Sequence, residues 1–108
     1  MSRLLIFSLM ALIPAGVQAR GNEEAGKNKA AQVCAACHGP DGNKPSAPDQ
    51  PILAGQYYDY LVRALTDYKI GRRNNPIMKG FAAPLSSQDI EDLSAWFASR
   101  KSNLHDQR

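Results

Sequence analysis

Cys34-Ala35-Ala36-Cys37-His38 is the stretch of this 108-residue chain from which the rest is read. Two thiols stand three residues apart, and an imidazole follows at once. Residues three apart on a helix share a face, so both sulfurs can meet one flat object. They are the only cysteines in the chain, so no long-range disulfide is available to staple it. A thioredoxin-like pair would use the same C-x-x-C spacing but expects strands around it, and no segment here alternates like a strand. A zinc site needs further ligands, and the only other histidine downstream is His105, near the polar end of the chain.

With the histidine included, the spacing is that of covalent haem attachment. The expected chemistry has Cys34 and Cys37 as thioether anchors and His38 as an axial ligand of the iron. One haem c would also supply the apolar bulk that a small domain lacks.

Upstream, residues 1–19 read as a secretory signal: Arg3 gives a positive start, Leu4–Ile13 an apolar run of ten, and Val17-Gln18-Ala19 a small-residue cleavage site. Ten apolar residues fall short of the roughly 20 that a bilayer core requires. The alternative is an uncleaved amphipathic or membrane anchor. Cleavage would leave residues 20–108 as one periplasmic domain with no stable membrane span. Of 13 Lys and Arg one lies in the signal, so that domain carries 12 basic against 10 acidic residues, close to neutral. No basic run suggests nucleic acid.

Downstream, the domain reads as helices joined by Pro- and Gly-rich connections, so the fold class is all-α. Asn22 can cap a first helix that ends at Cys34–His38, with Gly26, Ala30, Val33 and Cys34 on one small-residue face. Residues 39–55 hold four prolines and three glycines and read as a loop. A second helix is expected over about 56–70, with Tyr57, Leu61, Leu65 and Tyr68 on one face. Residues 72–85 read as another extended loop. Ser86 and Asp89 form a capping-box pattern ahead of a last helix whose apolar face is Ile90, Leu93 and Phe97, broadened by Trp96. Two long loops in so short a domain make sense if both wrap a large apolar group.

Met78 lies in the second loop and is the only methionine outside the expected signal. A lone methionine is ordinarily core filler. Opposite a haem it becomes the expected second ligand of the iron, and a neutral thioether would raise the reduction potential. With both axial positions filled, a carrier rather than an enzyme is expected; a labile Met78 would instead suggest a peroxidase or gas-binding protein.

These features together resemble a class I c-type cytochrome of the small bacterial periplasmic kind and its di-haem relatives. The resemblance rests on CAACH, Pro51-Ile52-Leu53-Ala54-Gly55-Gln56 with Tyr58 and Leu61, Gly71-Arg72-Arg73-Asn74, Met78, and Leu85–Ile90 leading into Leu93 and Trp96. It implies the cytochrome c fold, in which N- and C-terminal helices cross beside one haem. It implies that Gly26 lets Trp96 pack at that crossing, the alternative being a simple helix defect. The aromatic that the family often has one turn later is Ala30 here. It also implies that the Pro51 carbonyl accepts from His38 Nδ1, unless Pro51 is an ordinary loop proline. Arg72, Arg73 and Asn74 become candidates for a haem propionate or for solvated positions. The implied function is single-electron shuttling between redox partner proteins that dock at the haem edge, with a monomer as the default; a haem subunit of a larger redox complex is the alternative. Lys69, Arg72, Arg73 and Lys79 would be the cations steering an acidic partner.

Overall fold

A computed structural model describes residues 21–102. The expected signal over 1–19 and His105 lie outside the described residues. Within them are five helices and no strand: α1 (Glu23–Val33), α2 (Ala35–His38), α3 (Tyr58–Ile70), α4 (Pro76–Ala82) and α5 (Ser87–Ala98).

Local chemistry accounts for most boundaries. Asn22 caps α1 by accepting from the Ala25 N–H at 2.9 Å, with Glu23 and Glu24 in the first turn. The helix does not run unbroken to His38, as the spacing predicts. It stops at Val33, and Cys34 joins it to the single turn α2, where the Cys34 carbonyl accepts from both Cys37 and His38 N–H groups at 3.2 and 3.0 Å. The second predicted helix begins at Tyr58 rather than Gln56, and Tyr57 is 60% exposed. The inward face of α3 therefore starts at Leu61.

Residues 76–82 are helical, which corrects the expected loop over 72–85. Asn75 accepts from the Met78 N–H at 3.1 Å and Pro76 occupies the first turn, where its missing N–H costs nothing. The capping box of α5 forms in full: Asp89 N–H donates to Ser86 Oγ, and Ser86 N–H donates to Asp89 Oδ2, each at 3.0 Å.

α1 crosses α5, and the crossing is close. A Cβ on Gly26 would lie 1.9 Å from the Asp92 carbonyl oxygen and 2.9 Å from Trp96 Cβ. Gly26 is thus a packing requirement and not a helix defect. Asp92 fastens the same crossing by accepting the Asn22 N–H at 2.7 Å. Trp96 is half-buried against it, donates Nε1–H to the Pro40 carbonyl at 3.3 Å, and has the Arg100 guanidinium 3.8 Å from its ring centroid.

The core is thin. Its buried apolar members are Ala30, Leu61, Ala82, Leu85, Ile90, Leu93 and Phe97, and three of α5's residues supply much of its bulk. Leu61, Ala82, Leu85, Leu93 and Phe97 of this cluster also line a cavity.

Candidate functional site

That cavity has a volume of about 470 Å³, inside the range of roughly 300–1,000 Å³ typical of cofactor and ligand sites. Every helix reaches it. Val33 and Cys34 come from the end of α1, Cys37 and His38 from α2, Leu61, Leu65 and Tyr68 from α3, Met78 and Phe81 from α4, and Leu93 and Phe97 from α5. Lined so largely by apolar side chains, it needs a large occupant.

His38 is buried, and its ring is fixed. Nδ1 lies 2.9 Å from the Pro51 carbonyl oxygen. A carbonyl can only accept, so Nδ1 carries the proton and Nε2 is left with its lone pair. Pro51 is brought there by the loop after α2, which returns on itself: Leu53 N–H donates to the Gly42 carbonyl at 2.9 Å. Gly42 has φ +78°, and a Cβ there would sit 2.8 Å from Phe97 Cδ1, so only glycine lets the loop pass under α5.

Burial pushes the Cys34 thiol up to about 11, and neighbouring Cys37 adds to the effect. Dithiol catalysts do the reverse and hold one sulfur as a thiolate at neutral pH. A thiol kept protonated in this way does not fit the thioredoxin-like reading. Among the described residues no group of three or more His, Cys, Asp and Glu is placed to hold a bare metal ion.

Met78 lies on the wall formed by α4, partly buried, so the four residues singled out in the sequence share one cavity. The expected anion-binding residues divide. Arg73 faces the cavity, its guanidinium 4.7 Å from the Tyr68 ring centroid and 3.4 Å from the Tyr60 hydroxyl. Arg72 turns to Asp67 at 3.6 Å, and Asn75, which the sequence reading passed over, lines the cavity instead of Asn74. Of the four cations expected to steer a partner, Lys69 donates to the Ala83 carbonyl at 3.0 Å and to that of Leu85, while Arg72, Arg73 and Lys79 are exposed. Asn75 could have been found from the Asn-Pro pair that opens a helix; the partners of Lys69 and Arg72 had no sequence signal.

Residues 23–101 match the family model described as Cytochrome c. The chain is 46% identical to cytochrome c4 of Pseudomonas aeruginosa over 105 residues, covering 96% of this chain and 51% of the relative. It is 40% identical over 72 residues to a thiosulfate dehydrogenase electron acceptor of Stutzerimonas stutzeri, covering 67% of this chain and 33% of that protein. The crystal structure of reduced recombinant cytochrome c4 from Pseudomonas stutzeri superposes with a TM-score of 0.70 at 46% identity, covering 77% of this chain and 47% of that one. The chain thus spans about half the length of the cytochrome c4 relatives it matches. An all-helical fold, a C-x-x-C-H turn on a cavity of cofactor size and a family match across nearly every described residue lead to one identification: the chain belongs to the cytochrome c family and carries one covalent haem c with its iron.

Proposed function

We propose that this domain is a one-electron carrier whose haem is joined to Cys34 and Cys37 and whose iron is ligated by His38 and Met78. The observation that carries the reading is that all four side chains line one cavity, with His38 already held as the Nδ1–H tautomer. When bound, the haem supplies a ferric–ferrous couple. The residues around it do the rest. His38 offers Nε2 because Pro51 takes the other ring proton. Met78 offers a neutral sulfur, which favours the less charged ferrous state and raises the potential. Leu61, Leu93 and Phe97 exclude water, which works in the same direction. Arg73 and Asn75 are the polar groups on the cavity wall suited to a propionate.

Filling the second axial position argues against a peroxidase or gas-binding role, so no enzymatic activity is proposed. The name of the thiosulfate dehydrogenase electron acceptor supports electron exchange with protein partners. Partners would dock where the haem edge meets solvent, near the exposed Ile77 and Phe81. Residues 1–19 act as the export signal in this reading, and the domain works in the periplasm as a monomer. Among the described residues no helix is long and apolar enough to cross a membrane.

The test is carbon monoxide binding to the ferrous protein at neutral pH. An unchanged spectrum at low carbon monoxide, with binding only at high concentration, is the expected result; ready binding would overturn Met78 as a stable ligand and favour the gas-binding class.

A further inference from the structure

We propose that Lys69 is a positioning residue for the axial methionine: from α3, it latches the helix that carries Met78. The inference rests on Met78 being the iron ligand. Its starting point is that α4 has seven residues, well below the roughly 12–15 at which an isolated helix becomes even marginal. Such a helix stays where its ends and its buried face are held. The N-terminal end is held locally, by Asn75 on the Met78 N–H and by Pro76. Neither contact ties α4 to the rest of the protein.

The other end is held across the fold. Ala83 is the C-cap of α4, where the last carbonyls have no helical partner. Lys69, in the last turn of α3, brings its ammonium 3.0 Å from the Ala83 carbonyl oxygen and donates also to that of Leu85. A cation here meets the negative end of the helix as well as two unpaired acceptors. The chain on either side is anchored: Ala82 is fully buried, and Leu85 is 5% exposed. Between them, the Ala83–Leu85 turn depends on one side chain for two of its carbonyls. Met78 lies five residues before Ala83 in the same short element. A loosened turn therefore lets the helix, and the sulfur with it, move off the cavity wall.

The remaining packing of α4 is sparse on its outer side. Ile77 and Phe81 are 68% and 46% exposed, and a Cβ on Gly80 would have nothing within 4 Å. Ala82 alone is buried among its side chains. Lys69 thus sets how often Met78 is away from its place.

The experiment measures carbon monoxide affinity of the ferrous holoprotein for the parent, Lys69→Met, Lys69→Arg and Met78→Ala, with thermal unfolding of each. Lys69→Met keeps the alkyl stem and removes the donors. The apparent affinity for an external ligand scales with the population of the open state. Lys69→Met is expected to raise it about tenfold, or about 1.4 kcal/mol, while Lys69→Arg returns it toward the parent and Met78→Ala raises it furthest. A Lys69→Met protein with parental affinity overturns the latch, whatever its unfolding midpoint, since a merely structural lysine would move only the midpoint. Equal affinities for Lys69→Arg and Lys69→Met would overturn the hydrogen-bond basis. Should Lys69→Met not fold, Lys69→Gln replaces it, with an expected affinity between those of parent and Met78→Ala and the same overturning result. Parental affinity in Met78→Ala would overturn the ligand reading and the latch together; a gain there without one at position 69 overturns the latch alone.

Discussion

His38 and Pro51 are thirteen residues apart in the chain and joined by a single hydrogen bond of 2.9 Å, imidazole Nδ1–H to backbone carbonyl. The acceptor belongs to the main chain, so the loop's path and not a side chain decides how the imidazole faces the cavity. That path depends in turn on Gly42 passing under Phe97. The orientation of the imidazole is thereby coupled to the packing of α5, the helix that also closes against α1.

The α1–α5 crossing gives the sharpest steric prediction. Alanine is ordinarily better than glycine inside a helix by about 1 kcal/mol. At Gly26 the added carbon would meet the Asp92 carbonyl at 1.9 Å, and backbone cannot step aside cheaply. Gly26→Ala should therefore lower stability, by about 1–3 kcal/mol as overpacked sites do. Denaturant unfolding of the holoprotein measures it; a gain in stability would refute the close contact.

Ser94 offers the opposite sign. Its hydroxyl is buried in α5 without a hydrogen-bond partner among the described residues. A buried unsatisfied hydroxyl costs about 1–3 kcal/mol, so Ser94→Ala is expected to raise stability by about 1 kcal/mol. A loss on the same unfolding measurement would mean that the hydroxyl has a partner.

Asp89 predicts a dependence on pH. Hydrogen bonding from Ser86 holds its carboxyl below the usual carboxylate range, with Lys29 and Lys69 acting in the same direction. A folded pKa below the unfolded one means the stabilisation is complete above the unfolded value and is lost as pH falls through the folded value. Asp89→Ala should cost about 0.3–1 kcal/mol at neutral pH. The gap between variant and parent should close as the pH drops below the ordinary aspartate range. A gap that persists in acid would assign the loss to packing.

Gly80 lies inside α4 with open space where a Cβ would be. Gly80→Ala is expected to firm the helix by about 1 kcal/mol, seen as slower amide exchange over residues 78–82. Unchanged exchange would show that something other than backbone freedom limits α4.

How much of this was legible depended on whether the cause was local. The C-x-x-C-H turn, the Asn22 cap and the Ser86–Asp89 box are short-range patterns, and each appears where the sequence put it. Gly26 and Pro51 were reached through family resemblance, because their reasons for being there are contacts with Asp92 and His38, distant in the chain. α4 was missed because Gly80 and Pro84 look like loop punctuation, although Asn75-Pro76 already announced a helix start. Tyr57 fits the periodicity of α3 but precedes its first turn, so its side chain faces out. Lys69 and Arg72 looked like free surface cations. Only the fold brings Lys69 to the Ala83 and Leu85 carbonyls and Arg72 to Asp67, and no periodicity reports that.

In the proposed coordination, Met78 and His38 ligate one iron from two different elements. The optical spectrum of the ferric protein, compared with that of Met78→Ala, tests this most directly. A low-spin spectrum with a weak sulfur-to-iron charge-transfer band in the parent, lost in the variant, is the predicted result. A high-spin parent, or a band that survives the substitution, would contradict it.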